Sequence, residues 1–156
     1  MKTCVLFPGQ GAQSIGMGKD FYETSTAVRA LFEEASDASK INLKALIFEG
    51  TEDELKQTRN TQVALALVEC AASTCLHEHG IRPEGAAGFS LGEWPALVEA
   101  GVLPFGRMIR LVAERGRLMD EAGKRSGGST MAAVLNLEPK AIEAALKAAG
   151  IDDVWV

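Results

Sequence analysis

Gly85-Ala86-Ala87-Gly88-Phe89-Ser90-Leu91-Gly92-Glu93 is the stretch around which the rest of the chain arranges itself. Its first four residues are small and bounded by turn formers, which suits a short strand lying close to other backbone. From Glu93 to Ala100 the pattern is helical, and Gly101 supplies a stop. A serine on a sharp strand-to-helix turn is lifted out of the sheet toward the N–H groups at the helix start, which can hold an oxyanion. Glycines at 88 and 92 relieve the crowding of such a turn. Gly-x-Ser-x-Gly alone is a weak pattern. The strand–turn–helix setting makes Ser90 a candidate nucleophile rather than an idle residue of a glycine-rich loop.

Working outward, Thr3 to Phe7 reads as a buried first strand. It ends at Pro8-Gly9-Gln10-Gly11-Ala12-Gln13, a loop whose small residues let backbone approach a ligand. Phe21 and Tyr22 belong to a short helical piece, and Ser25 opens a helix carrying Val28, Leu31 and Phe32. Leu43 to Phe48 is a further helical turn, and Thr51-Glu52-Asp53-Glu54 has the spacing of a capping box. Asn60 or Thr61 is expected to start a long helix to His79, with Val63, Leu67 and Cys70 on one face. Pro104 suits the first turn of a helix running to about Gly123. Lys124 to Ser129 reads as a hinge, Met131 to Leu135 as a strand, Pro139 to Ala149 as a helix, and Asp153 to Val156 as the start of another strand. This alternation argues an α/β class with a sheet covered by helices. The final strand looks cut off, which leads to the expectation that the chain is the N-terminal part of a larger enzyme.

The 156 residues suffice for one domain with a real core. A net charge of −5 offers no electrostatic case for nucleic acid or an anionic membrane. No apolar run approaches the ~20 residues of a membrane span, and the apolar start is too short for a signal peptide. Cys4, Cys70 and Cys75 read as reduced core residues of a cytoplasmic protein.

Phe7-Pro8-Gly9-Gln10-Gly11-Ala12-Gln13, Gly88 to Glu93, Glu114-Arg115-Gly116 and, more loosely, Asn60-Thr61-Gln62 occur in an order and spacing that resembles the malonyl-CoA:acyl carrier protein transacylase family, the acyltransferases of fatty acid and polyketide synthesis. The similarity covers essentially the whole chain. It implies an α/β-hydrolase-like large subdomain, here residues 1–125, with residues 126–156 beginning an inserted, ferredoxin-like small subdomain. It also implies a two-step transfer. Ser90 attacks malonyl-CoA, forms a malonyl-serine ester, and passes the malonyl group to the phosphopantetheine thiol of acyl carrier protein. No bound cofactor or metal is implied; the coenzyme A thioester is substrate, and phosphopantetheine arrives on the acceptor.

In the same way the resemblance makes the N–H groups of Leu91 and Gln10 the oxyanion hole and Arg115 the group that grips the substrate carboxylate. A guanidinium can do so bidentately. Arg107, Arg110 and Arg117 read as solvated helix charges. Gln62 and Phe89 line the pocket, although Gln62 reads equally well as a residue satisfying a helix N-terminus. Glu93 reads as favourable to its helix N-terminus rather than catalytic. Two departures stand out. Phe89 occupies a position where the family usually has histidine, and the catalytic histidine of the family lies beyond residue 156. His77 and His79 sit at a helix C-terminal end, where the dipole favours them, and are not read as the base. The 156 residues alone are therefore expected not to turn over. Two alternatives stay open: a serine esterase or thioesterase of similar fold, which shares the same acyl-serine, and a non-catalytic half that binds a partner chain.

Overall fold

A computed structural model describes residues 2–125 and 134–156 of the chain. Two parallel strands, β1 (Cys4–Phe7) and β2 (Gly85–Gly88), pair in register from Cys4 with Gly85 to Phe7 with Gly88. Parallel pairing demands a crossover, and five helices supply it. These are α1 (Lys19–Thr24), α2 (Thr26–Ser39), α3 (Leu43–Phe48), α4 (Glu52–Lys56) and α5 (Thr58–Glu78). After β2 come a single 3₁₀ turn (Ser90–Gly92), α6 (Glu93–Glu99), α7 (Phe105–Arg125) and α8 (Pro139–Ala148).

Local chemistry sets most of these boundaries. The Ser25 hydroxyl accepts from the Val28 N–H and caps α2. Thr51 and Glu54 form a reciprocal capping box at α4. Gly101 and Gly150 take left-handed φ values of 70° and 68° just after α6 and α8.

The core forms around α5. Every side chain from Thr61 to Leu67 is buried, because α2, α6 and α7 all pack on this helix. Burying each large apolar side chain there is worth about 1.5–3 kcal/mol. Val63, Leu67 and Cys70 are all buried. Gly116 in α7 lies against α5, where a Cβ would stand 2.9 Å from the Arg59 Cα. Only glycine permits that approach.

Several expectations need correction. The central helix begins at Thr58, two residues before Asn60, because it follows directly on α4. β1 is not a buried strand: only Phe7 is buried, and Leu6 is 74% exposed. Among the described residues the sheet has two strands, and no helix covers the face of β1 that carries Leu6. For the same reason Cys4 is exposed rather than part of the core; Cys70 is buried, and Cys75 is intermediate. Asp153 to Val156 form no strand, since their backbone finds no ladder partner among the described residues, and Trp155 is 88% exposed. Of the strand expected over Met131 to Leu135, residues 131–133 lie outside the described residues; Val134 and Leu135 are irregular.

The turn after β2 depends on its glycines. A Cβ at Gly92 would overlap the Phe7 and Pro8 carbonyl oxygens, and one at Gly88 would overlap the backbone of Gly92 and Glu93. These are rigid groups, so the cost falls on the backbone. Gly92→Ala is expected to destabilise the protein by about 3 kcal/mol, as overpacking against fixed backbone does. A lowered thermal midpoint measures it; an unchanged midpoint would show that the turn tolerates a side chain.

Candidate active site

Ser90 sits at the first position of the 3₁₀ turn with φ 53°, a left-handed conformation that a non-glycine residue rarely adopts. Phe89 anchors the turn on both sides: its N–H donates to the Phe7 oxygen at 3.0 Å, and its oxygen accepts from the Gly92 N–H at 3.0 Å. The outcome is an exposed serine beside a fully buried Leu91. The Leu91 N–H belongs to a first helical turn, whose amides have no intrahelical partner. It is therefore suited to receive a developing oxyanion.

Three side chains distant in sequence link in a chain to this serine. Arg115 Nη2 donates to Ser90 Oγ at 3.2 Å, and Arg115 Nη1 donates to Gln62 Oε1. Gln62 Nε2 in turn donates to Gln10 Oε1 at 2.9 Å. The Gln62 side chain is buried, so its amide has a fixed orientation, with oxygen toward the guanidinium and nitrogen toward the first loop. Gly116 makes the connection possible. By letting α7 lie close to α5, it brings Arg115 within reach of Gln62. The loop itself is braced by its own side chain, since the Gly11 N–H donates to Gln13 Oε1 at 2.8 Å. Gln10, Gln62, Ser90 and Arg115, selected on the sequence, thus form one connected polar chain. Phe89 flanks it: a Cβ at Gly9 would stand 2.8 Å from the Phe89 ring.

The remaining arginines of α7 behave as solvated charges. Arg117 is held by Glu114 and Glu121 on its own helix, and Arg107 and Arg110 are exposed. Glu93 lies in the first turn of α6, as expected for a carboxylate at that end. The histidines are engaged elsewhere. His77 Nε2 pairs with Glu99 Oε1 at 2.9 Å, and His79 Nδ1 bonds the Cys75 carbonyl oxygen at 2.8 Å. Among the described residues the only side chain hydrogen-bonded to Ser90 Oγ is Arg115.

The sequence reading missed a polar seam along α5. Gln62, Glu69 and Ser73 are all buried, and Ser73 Oγ donates to Glu99. Glu69 lies seven residues after Gln62, on the same helix face. Neither of its carboxylate oxygens has a hydrogen-bond partner among the described residues. Burial pushes this carboxyl up to about 8 from its usual 4.5, so at neutral pH it is predominantly the uncharged acid. The folded state therefore binds this proton more tightly than the unfolded chain. Stability is greatest below about 4.5 and falls as pH rises toward about 8. Glu69→Gln, neutral throughout, is expected to remove that slope and to melt higher than the parent at pH 8. Melting midpoints of both proteins at pH 5 and pH 8 test this; parallel losses would acquit Glu69.

Comparison with known proteins gives this constellation a context. Residues 4–156 match the acyl transferase domain family. The malonyl CoA-acyl carrier protein transacylase of Bacillus subtilis strain 168 is 44% identical over 142 residues, covering 91% of this chain and 44% of that protein. Among solved structures, MCAT from Streptococcus pneumoniae is 45% identical with a TM-score of 0.75, covering 78% of this chain and 39% of that one. Another shows a malonyl-transacylase with its type II PKS acyl-carrier protein. It is 38% identical with a TM-score of 0.81, covering 95% of this chain and 48% of that one. The chain thus spans less than half the length of these relatives. With the Ser90 turn, the first glycine loop and the arginine of α7 all falling within the matched residues, the chain belongs to the acyl transferase domain family.

Proposed function

We propose that the full-length gene product carries a malonyl group from malonyl-CoA to the phosphopantetheine thiol of acyl carrier protein, through an ester on Ser90. The observation that carries this reading is the Arg115 guanidinium within 3.2 Å of Ser90 Oγ. In a malonyl-serine ester only one methylene separates the reacting carbonyl from the free carboxylate. A guanidinium beside Oγ is therefore close enough to receive that carboxylate as a two-point ion pair. The Leu91 and Gln10 N–H groups would stabilise the tetrahedral oxyanion, each such donor being worth roughly 3–4 kcal/mol. Gln62 would hold Arg115 and the Gln10 loop in one register, while Phe89 borders the pocket.

The reading also calls for a general base from outside these residues, since both histidines here are bonded away from Ser90. It divides the protein into a hydrolase-like large subdomain over residues 1–125 and a ferredoxin-like one opening at 126, acting in the cytoplasm. Acyl carrier protein as acceptor is supported by the relative solved in complex with an acyl-carrier protein. No helix among the described residues is long and apolar enough to cross a membrane.

The test is to load the full-length gene product with malonyl-CoA and read its intact mass, then add carrier protein bearing phosphopantetheine. A malonyl adduct on the Ser90 peptide that moves to the carrier supports the reading. Steady release of free malonate without an acceptor would instead identify a hydrolase.

A further inference from the structure

Phe89 is the most exposed aromatic ring adjoining the nucleophile, with 76% of the residue open to solvent. Its backbone is pinned at both ends, by the Phe7 oxygen and the Gly92 N–H, so the ring cannot swing away with a loop. One edge rests on Gly9, where a Cβ would come within 2.8 Å of Cδ1 and 3.4 Å of Cε1. Gly9 directly precedes Gln10, whose side chain begins the polar chain to Gln62 and Arg115. The ring therefore forms an apolar wall between the first loop and the elbow, beside the polar chain of Gln10, Gln62, Arg115 and Ser90. A phenyl group neither donates nor accepts a conventional hydrogen bond.

We propose that Phe89 is a specificity-determining residue for the acceptor, favouring a thiol over water at the acyl-serine. This rests on the acyl-transfer reading above. In transfer, the thiol sulfur attacks the ester carbonyl carbon, the bond from that carbon to Ser90 Oγ breaks, and the thiol proton ends on Oγ. In hydrolysis, a water oxygen attacks the same carbon, one water proton ends on Oγ, and the acyl group leaves as the free acid. Both routes share the oxyanion and the leaving group, so they differ only in how the incoming atom is held. A water must be oriented by hydrogen bonds before it attacks, and a polar wall supplies them. An apolar ring withholds those partners, while the methylene-rich arm bearing a thiol loses little by lying against it.

The experiment follows the malonyl ester on the full-length gene product. Parent, Phe89→Ser, Phe89→His and Phe89→Leu proteins are loaded, and the ratio of free malonate released to malonyl transferred to a pantetheine thiol is measured. Phe89→Ser and Phe89→His are expected to raise that ratio about fivefold or more, by admitting hydrogen-bonded water beside the ester. Phe89→Leu, smaller but apolar, is expected to stay nearer the parent than either. Equal ratios in all four proteins, or a leucine variant as leaky as the serine variant, would overturn the proposal. Should one polar variant fail to fold, the other still decides. If the parent forms no malonyl ester, the acyl-transfer reading itself fails; if the ester forms but the ratios do not move, only the role of Phe89 does.

Discussion

Ser90→Ala is expected to abolish malonyl loading of the full-length gene product, with a fall in turnover on the order of 10⁴-fold or more, as removal of a covalent nucleophile does. The argument is geometric. Ser90 is exposed at the head of a turn whose flanking glycines cannot be replaced without overlap, and its hydroxyl is held by a guanidinium. Nothing structural requires a hydroxyl there, because an exposed side chain contributes little to packing. Its φ of 53° is in fact a cost that glycine would not incur. Ser90→Gly should therefore raise the thermal midpoint slightly while removing activity as completely as alanine does. That opposition separates a catalytic serine from a structural one. If Ser90→Ala retained transfer, or Ser90→Gly melted well below the parent, the residue would have to be reassigned to holding the turn.

The features legible in the sequence are those decided within a few residues. The capping box at Thr51, the serine cap at Ser25, the glycine stops and the elbow all arise from side chains acting on adjacent backbone, so spacing alone reveals them. The polar chain joining Gln10, Gln62 and Arg115 lies outside that range. Its two side-chain bonds span separations of 52 and 53 residues, and it exists because Gly116 lets two helices approach. No periodicity could have oriented the Gln62 amide. Glu69 is a different case. It stands seven residues from Gln62, in a helix whose apolar spacing at Val63, Leu67 and Cys70 is the stronger periodic signal. A carboxylate amid Val63 to Ala72 was itself the signal. The misplaced strand at Asp153 to Val156 shows the opposite limit. Val154-Trp155-Val156 has the side chains of a strand, yet a strand is a paired state, and the partner is not written in the residues that form it.

Arg115→Ala is expected to lower malonyl transfer by roughly 30- to 1000-fold, while transfer of an uncharged acetyl group is kept or improved. Removing one partner of a hydrogen-bonded ion pair costs about 2–4 kcal/mol once the bound substrate excludes water from it, and each 1.4 kcal/mol is a factor of ten. Acetyl presents no carboxylate, so it has no use for the guanidinium and loses nothing when that group goes. The neighbouring arginines cannot compensate. Arg117 is committed to Glu114 and Glu121, and Arg107 and Arg110 are exposed. A second effect must be separated from the first. Arg115 also donates to Gln62, and Gln62 holds Gln10, so the competing explanation for the alanine variant is a loss of support to the proposed oxyanion loop. That loss would slow both acyl groups equally, whereas loss of the carboxylate contact slows malonyl alone. Arg115→Lys sharpens the distinction, because it restores the charge but not the planar fork that reaches Gln62 and Ser90 together. The expected order for malonyl transfer is arginine, then lysine, then alanine, with acetyl transfer nearly level across the three. Should malonyl and acetyl fall in parallel, Arg115 serves the loop rather than the substrate, and carboxylate recognition must be sought in another side chain.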